Sequence, residues 1–392
     1  MGSQEASAHN ENKPHLGDRL LRILTNAIRS PLTIIGVLII FGIIQLAANT
    51  ISQGNYSLDT FVRQLIFGLA QGSIYALIAL GYTLVYGILF MINFAHGEVF
   101  MAGTYIGFFA IDAMNRSGFL ADNTLVALLI VFAVAVLSSI LVAITLERIA
   151  YRPLRSAPRL VPLITAIGAS TFLQQAFRGL FGSSPKVYPN VNFYVFPQVF
   201  HLECDVVNQV EVCKGLDLVS GRYPLEIFGI EIIFRPIYLV VFLAAIAMMW
   251  ALWFYVQRTK TGKAMRAVAE DKSTAALMGI NVDSVIVSTF VLGAALAGAA
   301  GVLFALYNRQ VTHTMGFIPG LKAFTAAVLG GIGNIPGAAL GGFFLGTIES
   351  VAPSLLNIPT QLKDVISFSM LVLVLIFRPS GILGEVLSEK KA

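Results

Sequence analysis

Gly87-Ile-Leu-Phe-Met-Ile-Asn-Phe-Ala-His-Gly-Glu98 separates two apolar runs, 61–90 and 99–111, and its reading decides the fold. It sets Asn93, His96 and Glu98 beside Gly87 and Gly97, at or near the depth of those runs. Polar groups are costly in hydrocarbon, and non-helical backbone is tolerated there only against protein or a water-filled cavity. A glycine-interrupted pair of short apolar segments is the best sequence pointer to a transport site. A plain turn between two spanning helices is the competing reading. These residues alone leave both open.

Composition bounds the rest. Of 392 residues, 56% are apolar and only 12% charged, against about 25% charged in soluble domains. That describes a polytopic membrane protein, one all-α bundle. The net charge of +5 falls mostly in basic loops between apolar runs, so it reports membrane orientation and not nucleic-acid binding. The two cysteines form no Cys/His cluster with metal spacing, and P-loop, nucleophile-elbow and metalloprotease motifs are missing. His96 and Glu98 lack a companion nucleophile. An enzyme is therefore not expected, nor a metal or cofactor.

Along the chain, 1–31 is a polar, basic-flanked tail, and 32–48 is long enough to span. Apolar runs follow at 61–90, 99–111, 124–146 and 162–180. The last is polar along part of its length through Thr165, Ser170, Thr171, Gln174 and Gln175. The first of these four, 61–90, carries Gly68, Gly72, Gly81 and Gly87, small residues that let helices approach closely. Arg148, Arg152, Arg155 and Arg159 mark a cytoplasmic loop, as do Arg258, Lys260, Lys263, Arg266 and Lys272. Two runs, 162–180 and 236–256, lie between these loops, and the acidic stretch 181–231 that joins them then lies outside. Cys204 and Cys213 sit in that loop, where a disulfide is permitted. A bridge is expected, and two free thiols are the alternative.

Lys272 and Arg378 should share the cytoplasmic side, yet three runs separate them: 284–307, 321–349 and 365–377. Parity is restored if 321–349 is two short helices broken by Gly330, Gly331, Gly333 and Gly337. The count becomes about ten membrane segments, arranged as 5+5 inverted repeats with broken or short helices and both termini cytoplasmic. The second and seventh segments then correspond, and they end alike, in Gly87-Ile-Leu-Phe-Met-Ile-Asn93 and Gly301-Val-Leu-Phe-Ala-Leu-Tyr-Asn308.

The chain resembles the membrane-spanning permease subunit of branched-chain amino-acid ATP-binding-cassette importers. The resemblance is carried by Gln71-Gly-Ser-Ile-Tyr-Ala-Leu-Ile-Ala-Leu-Gly-Tyr-Thr-Leu-Val-Tyr-Gly87, Met91-Ile-Asn-Phe-Ala-His-Gly-Glu98 and Glu147-Arg-Ile-Ala-Tyr-Arg-Pro-Leu-Arg155. It continues through Leu163-Ile-Thr-Ala-Ile-Gly168, Ala269-Glu-Asp-Lys272 and Gly279-Ile-Asn281. The final blocks are Lys322-Ala-Phe-Thr-Ala-Ala-Val-Leu-Gly-Gly-Ile-Gly-Asn-Ile-Pro-Gly337 and Arg378-Pro-Ser-Gly-Ile-Leu-Gly384. It defines a permease domain over 61–384, with an extra segment at 32–60, a tail at 385–392, and an outer loop longer than the family pattern.

The resemblance implies a second permease subunit, two cytoplasmic ATP-binding subunits and an outer solute-binding protein, working across the inner membrane of a bacterium. Branched-chain or other neutral amino acids are the implied solutes, with urea or short amides as the alternative. A stand-alone secondary transporter is the competing class. The loop 257–283 becomes the element that couples to the ATPase. Within it, 263–270 reads as a short helix and Ser273 as the N-cap of a second helix that stops at Gly279. Glu270, Asp271, Ala275, Leu277 and Gly279 are the coupling candidates. Candidates for the translocation pathway are Asn93, His96, Glu98, Asn308 and Thr325. Capping of helix ends is the other reading of Asn93, His96 and Glu98.

Overall fold

The computed structural model describes residues 48, 50–52, 54, 56–155, 157–158, 160–195, 203–207, 210–214, 216–227, 230–378 and 380–384. The expected tail 1–31, the first segment 32–48 except its last residue, and the tail 385–392 lie outside the described residues. The chain divides into two compact units, one of residues 1–57 with Ser354–Ile358, the other of Leu58–Pro353 with Pro359–Ala392. In the first, a turn follows Leu355, in which the Asn357 amide donates to Ser354 O. Everything below concerns the second.

Its helices are α1 (Leu58–Leu89), α2 (His96–Arg116), α3 (Thr124–Leu146), α4 (Leu160–Phe181) and α5 (Pro236–Arg258). After two short helices, α6 (Lys260–Glu270) and α7 (Lys272–Leu277), come α8 (Val282–Asn308), α9 (Phe317–Gly330), α10 (Ile335–Leu355) and α11 (Lys363–Phe377). Among the described residues seven helices are long and apolar enough to cross a membrane: α1, α3, α4, α5, α8, α10 and α11, two of them (α3 and α11) counted with their short helical extensions. The chain is a polytopic helical membrane protein. The 14-residue α9 is apolar but short, and α2 is polar at both ends, through His96, Glu98, Asp112, Asn115 and Arg116. The expected break of 321–349 into two helices is present, as α9 and α10.

The core lies along α1 and α8. Their spanning windows are 83% and 78% buried, against 22% for α3, α4 and α5. Glycine is what brings the backbones together, since lipid supplies no hydrophobic drive between helices. Gly68 and Gly72 of α1 face Gly342 and Gly346 of α10. A Cβ on Gly72 would stand 2.8 Å from Gly342 O, and one on Gly346 would overlap the Gly72 backbone. Two glycines four apart on each helix thus make one crossing.

The stretch between α4 and α5, expected as the outer loop, carries two hairpins, Glu203–Val207 with Val210–Lys214 and Tyr223–Ile227 with Ile230–Phe234. The first places Cys204 directly opposite Cys213. Opposed Cα atoms on antiparallel strands are about 4.5–5.5 Å apart, inside the range of roughly 4.4–6.8 Å that a disulfide spans. Purified, denatured protein is therefore expected to take up maleimide at these positions only after reduction. Labelling of both cysteines without reductant would reject the bridge.

Candidate functional site

α1 ends at Leu89, and Phe90 takes a left-handed conformation (φ 55°) that turns the chain. The irregular stretch is short, residues 90–95, because Asn93 organises it. The Asn93 side-chain carbonyl accepts from the Ala95 amide (3.1 Å) and the Tyr151 hydroxyl (2.5 Å), and its backbone carbonyl accepts from the His96 amide (3.0 Å). This is an Asx turn. Asn93 starts α2 from two residues before its N-cap, Ala95, which makes no side-chain cap bond. His96, Gly97 and Glu98, expected in the break, form the first turn of α2. Four of the expected helix-break glycines need correcting, two of them here. Gly87 lies inside α1 and Gly97 inside α2, and neither has a positive φ.

Gly97 has a different task. A Cβ there would overlap Gly316 O and stand 3.1 Å from the Gly320 Cα. Gly316 is the N-cap of α9, and Gly320 lies in its first turn. The first turns of α2 and α9 therefore touch backbone to backbone at Gly97, Gly316 and Gly320, all three buried. Such ends carry partial positive charge and unpaired N–H groups.

Glu98 lies at this contact and is fully buried. Its Oε1 accepts from Ser170 Oγ (3.0 Å) and Gln174 Nε2 (2.7 Å), both on α4. Its Oε2 has no hydrogen-bond partner among the described residues and faces Gly316. Of the polar stripe on α4, Ser170 and Gln174 thus reach the site. Thr165 and Thr171 bond back to their own helix, and Gln175 is exposed. The His96 ring fills the space over Gly81, edge-on to Tyr82 at 4.9 Å, with Nε2 buried and without a hydrogen-bond partner among the described residues.

The other two pathway candidates form hydrogen bonds elsewhere. Asn308 is exposed at the end of α8 and donates to Gln310 O at 3.3 Å. Thr325 is buried on α9, but its hydroxyl bonds back to Leu321 O (3.0 Å). Between α9 and α10 the turn is made by Gly331 (φ 103°) and Gly333 (φ 97°). Gly330 and Gly337 are close-packing positions instead, since a Cβ on either would overlap the other's backbone.

At another end of the unit, α6 and α7 form a bent pair. The N-cap of α7 is Asp271 and not Ser273. Its carboxylate accepts from the Ser273 and Thr274 amides and from both hydroxyls, and these bonds hold its pKa below the usual carboxylate range. Gly279 (φ 82°) ends the helix, with the Ile280 amide donating back to Ala275 O (3.1 Å). Leu277 and Met278 are 87% and 79% exposed at the tip, whereas Ala275 is buried.

Lys272 points back toward the break, with its Nζ 5.9 Å from the centroid of the Phe90 ring. Burial and then the Arg155 charge lower its pKa. Lys272, Phe90, Arg155 and Asp283 share a cavity of about 250 Å³. Arg155 pairs with fully buried Glu147 and with Asp283 in the first turn of α8, and Arg152 reaches the same Asp283 at 3.1 Å. Glu147 and Tyr151 stand on one π-helical turn, Glu147–Tyr151. That turn holds both Arg155 and the Asn93 cap.

Sequence reasoning missed a second buried polar group. Lys322 on α9 and Glu349 on α10 pair at 2.5 Å, 3% and 1% exposed. The available signal was two opposite charges inside one apolar run, since an ionisable residue at membrane depth needs a partner.

Broken helices meeting inside a polytopic bundle, with polar side chains at their ends, define a membrane permease. The chain belongs to the family described as branched-chain amino acid transport system / permease component, whose model matches residues 64–375. It is 42% identical over 330 residues to the high-affinity branched-chain amino acid transport system permease protein BraD of Pseudomonas aeruginosa, covering 84% of this chain and 98% of the relative. Against the permease protein LivH of Escherichia coli (strain K12) the identity is again 42% over 330 residues, covering 84% and 97%. The autoinducer 2 import system permease protein LsrC of Yersinia pestis is 33% identical over 167 residues, 41% of this chain and 45% of the relative. The full-length relatives are named as transport permeases and not as enzymes.

Proposed function

We propose that this chain is the membrane permease of an ATP-driven importer of branched-chain or other neutral amino acids. Two cytoplasmic ATP-binding subunits power it, one of them docking on α6 and α7, a second permease completes the pathway, and an outer binding protein delivers solute. The assembly sits in the bacterial inner membrane, with both termini cytoplasmic, and works by alternating access. The observation that carries this reading is the exposed Leu277–Met278 tip on a helix capped at both ends. Apolar side chains presented on a short rigid helix suit insertion into a groove of another protein, and a stand-alone transporter has no use for them.

The test is co-purification. Leu277→Asp with Met278→Asp is expected to insert normally, to lose the ATP-binding subunits, and to lose uptake. Retention of the subunits at wild-type level would sink the docking assignment. For the wild-type complex in vesicles, leucine is expected to stimulate ATP hydrolysis and urea is not.

The contact of α2 with α9 is proposed as part of the pathway. A zwitterion needs an acceptor for its ammonium and donors for its carboxylate, and Glu98 Oε2 beside two helix N-termini offers both kinds of group. Glu98→Gln keeps the shape and an acceptor for Ser170 and Gln174, but removes the charge. It is expected to accumulate normally and to lower uptake about tenfold or more, since a charged hydrogen bond contributes about 1.5–3 kcal/mol. Failure to accumulate would instead assign Glu98 to helix-end capping.

A further inference from the structure

Away from the Gly97–Gly316 contact, four charged side chains, two of each sign, lie together. Lys322 is on α9, Glu349 on α10, and Lys363 and Asp364 begin α11. The first two are buried, whereas Asp364 and Lys363 are 42% and 48% exposed. Lys322 Nζ donates to Glu349 Oε1 at 2.5 Å. It is also 2.6 Å from Asp364 Oδ1, but without hydrogen-bond alignment, so that oxygen remains unsatisfied. Lys363 Nζ stands 3.9 Å from the same Glu349 oxygen. α1 and α11 complete the shell, with Gln71 Nε2 donating to Glu349 Oε1 (3.1 Å) and Ser367 Oγ to Glu349 Oε2 (3.2 Å).

Each buried charge thus has a close partner and a second one of the right sign within reach. A buried ion pair is expensive to break, because whichever charge is left alone stays desolvated. A helix pinned by such a pair is fixed unless another charge takes over as it leaves. Here the substitutes are in place, and both come from α11.

We infer that this cluster is an exchangeable ion pair that lets α9 move: Lys363 replaces Lys322 on Glu349 while Lys322 passes to Asp364. The same α9 presents Gly316 and Gly320 to Gly97 and Glu98, so its movement opens or closes that contact. Lys322, Glu349, Lys363 and Asp364 are positioning residues, acting on the pathway through α9. The inference rests on the proposed transport activity only for its first test.

That test uses the full complex in vesicles with radiolabelled leucine. Lys363→Met is expected to assemble normally, since a half-exposed charge contributes little to stability. Leucine uptake should fall about tenfold, because Glu349 is left alone during the exchange. ATP hydrolysis without leucine should be unchanged, and Lys363→Arg should restore uptake. Uptake within twofold of wild type would overturn the proposal. The second test needs no transport. If Lys363 can take over on Glu349, Lys322→Met lowers the Tm of the purified chain more in a Lys363→Met background than alone. Strictly additive shifts would overturn the exchange. Wild-type vesicles that took up no leucine would reject the transport reading instead, and the thermal cycle would still decide the exchange.

Discussion

Gly97→Val is expected to abolish uptake and to lower thermal stability, while Gly87→Ala leaves both unchanged. Both glycines flank the same polar stretch, so the contrast tests what each is for. At Gly97 a Cβ overlaps the Gly316 carbonyl and crowds the Gly320 Cα. Those are backbone atoms of a neighbouring helix and cannot rotate away. The first turns of α2 and α9 must then separate, which displaces Glu98 from its place beside Gly316. Overpacking of this kind costs about 1–3 kcal/mol per site, enough to lower the melting temperature measurably without preventing insertion. At Gly87 the nearest atom to a new Cβ is the Gly333 Cα at 3.8 Å, an ordinary contact. Gly316→Ala should reproduce the Gly97 phenotype from the other side, since its Cβ meets Gly97 O and stands 2.7 Å from Glu98 Oε2. Normal uptake by both Gly97→Val and Gly316→Ala would show that the contact is not part of the working machine.

The two roles of glycine explain how far the sequence could be read. Long apolar runs, basic loops and parity were enough to place α1, α3, α4, α5 and α8, and to demand that 321–349 be two helices. Each of those arguments uses local composition. Whether a glycine breaks a helix or admits a neighbour depends on what lies across from it, and that is non-local. Gly87 and Gly97 read as breakers in sequence for this reason, although the backbone turns at Phe90, a residue with no sequence signal for positive φ. Asn93 was legible as a polar residue at depth. Its actual partner, the Tyr151 hydroxyl, is 58 positions away on a π-helical turn. Ser and Asp both suit an N-cap, so Ser273 and Asp271 are told apart only by where the helix begins. Lys322 and Glu349 were visible as charges in an apolar run, but their pairing needed the fold of α9 against α10.

Arg155→Ala is expected to destabilise the protein by about 3–5 kcal/mol, the usual cost of removing one partner of a buried ion pair. Glu147 is fully buried on its π turn; one oxygen is held by Arg155, and the other has no hydrogen bond among the described residues. Without Arg155 the carboxylate is left with neither water nor a counter-charge. Arg155→Lys should recover only part of the loss, because one ammonium does not reproduce a planar fork that serves Glu147 and Asp283 with separate nitrogens. Adding Glu147→Gln to Arg155→Ala should recover more than half, since the stranded charge is then gone. The functional consequence differs from the stability one. Asp283 opens α8 and lines a cavity with Lys272, the first residue of α7, and with Phe90 at the break. Arg155 therefore joins the proposed docking pair to the break between α1 and α2. In the doubly substituted protein, where the fold is largely restored, that link is still missing. Leucine moved per ATP hydrolysed should fall in the double variant although its melting temperature recovers. A double variant with wild-type stoichiometry would confine Arg155 to holding the fold.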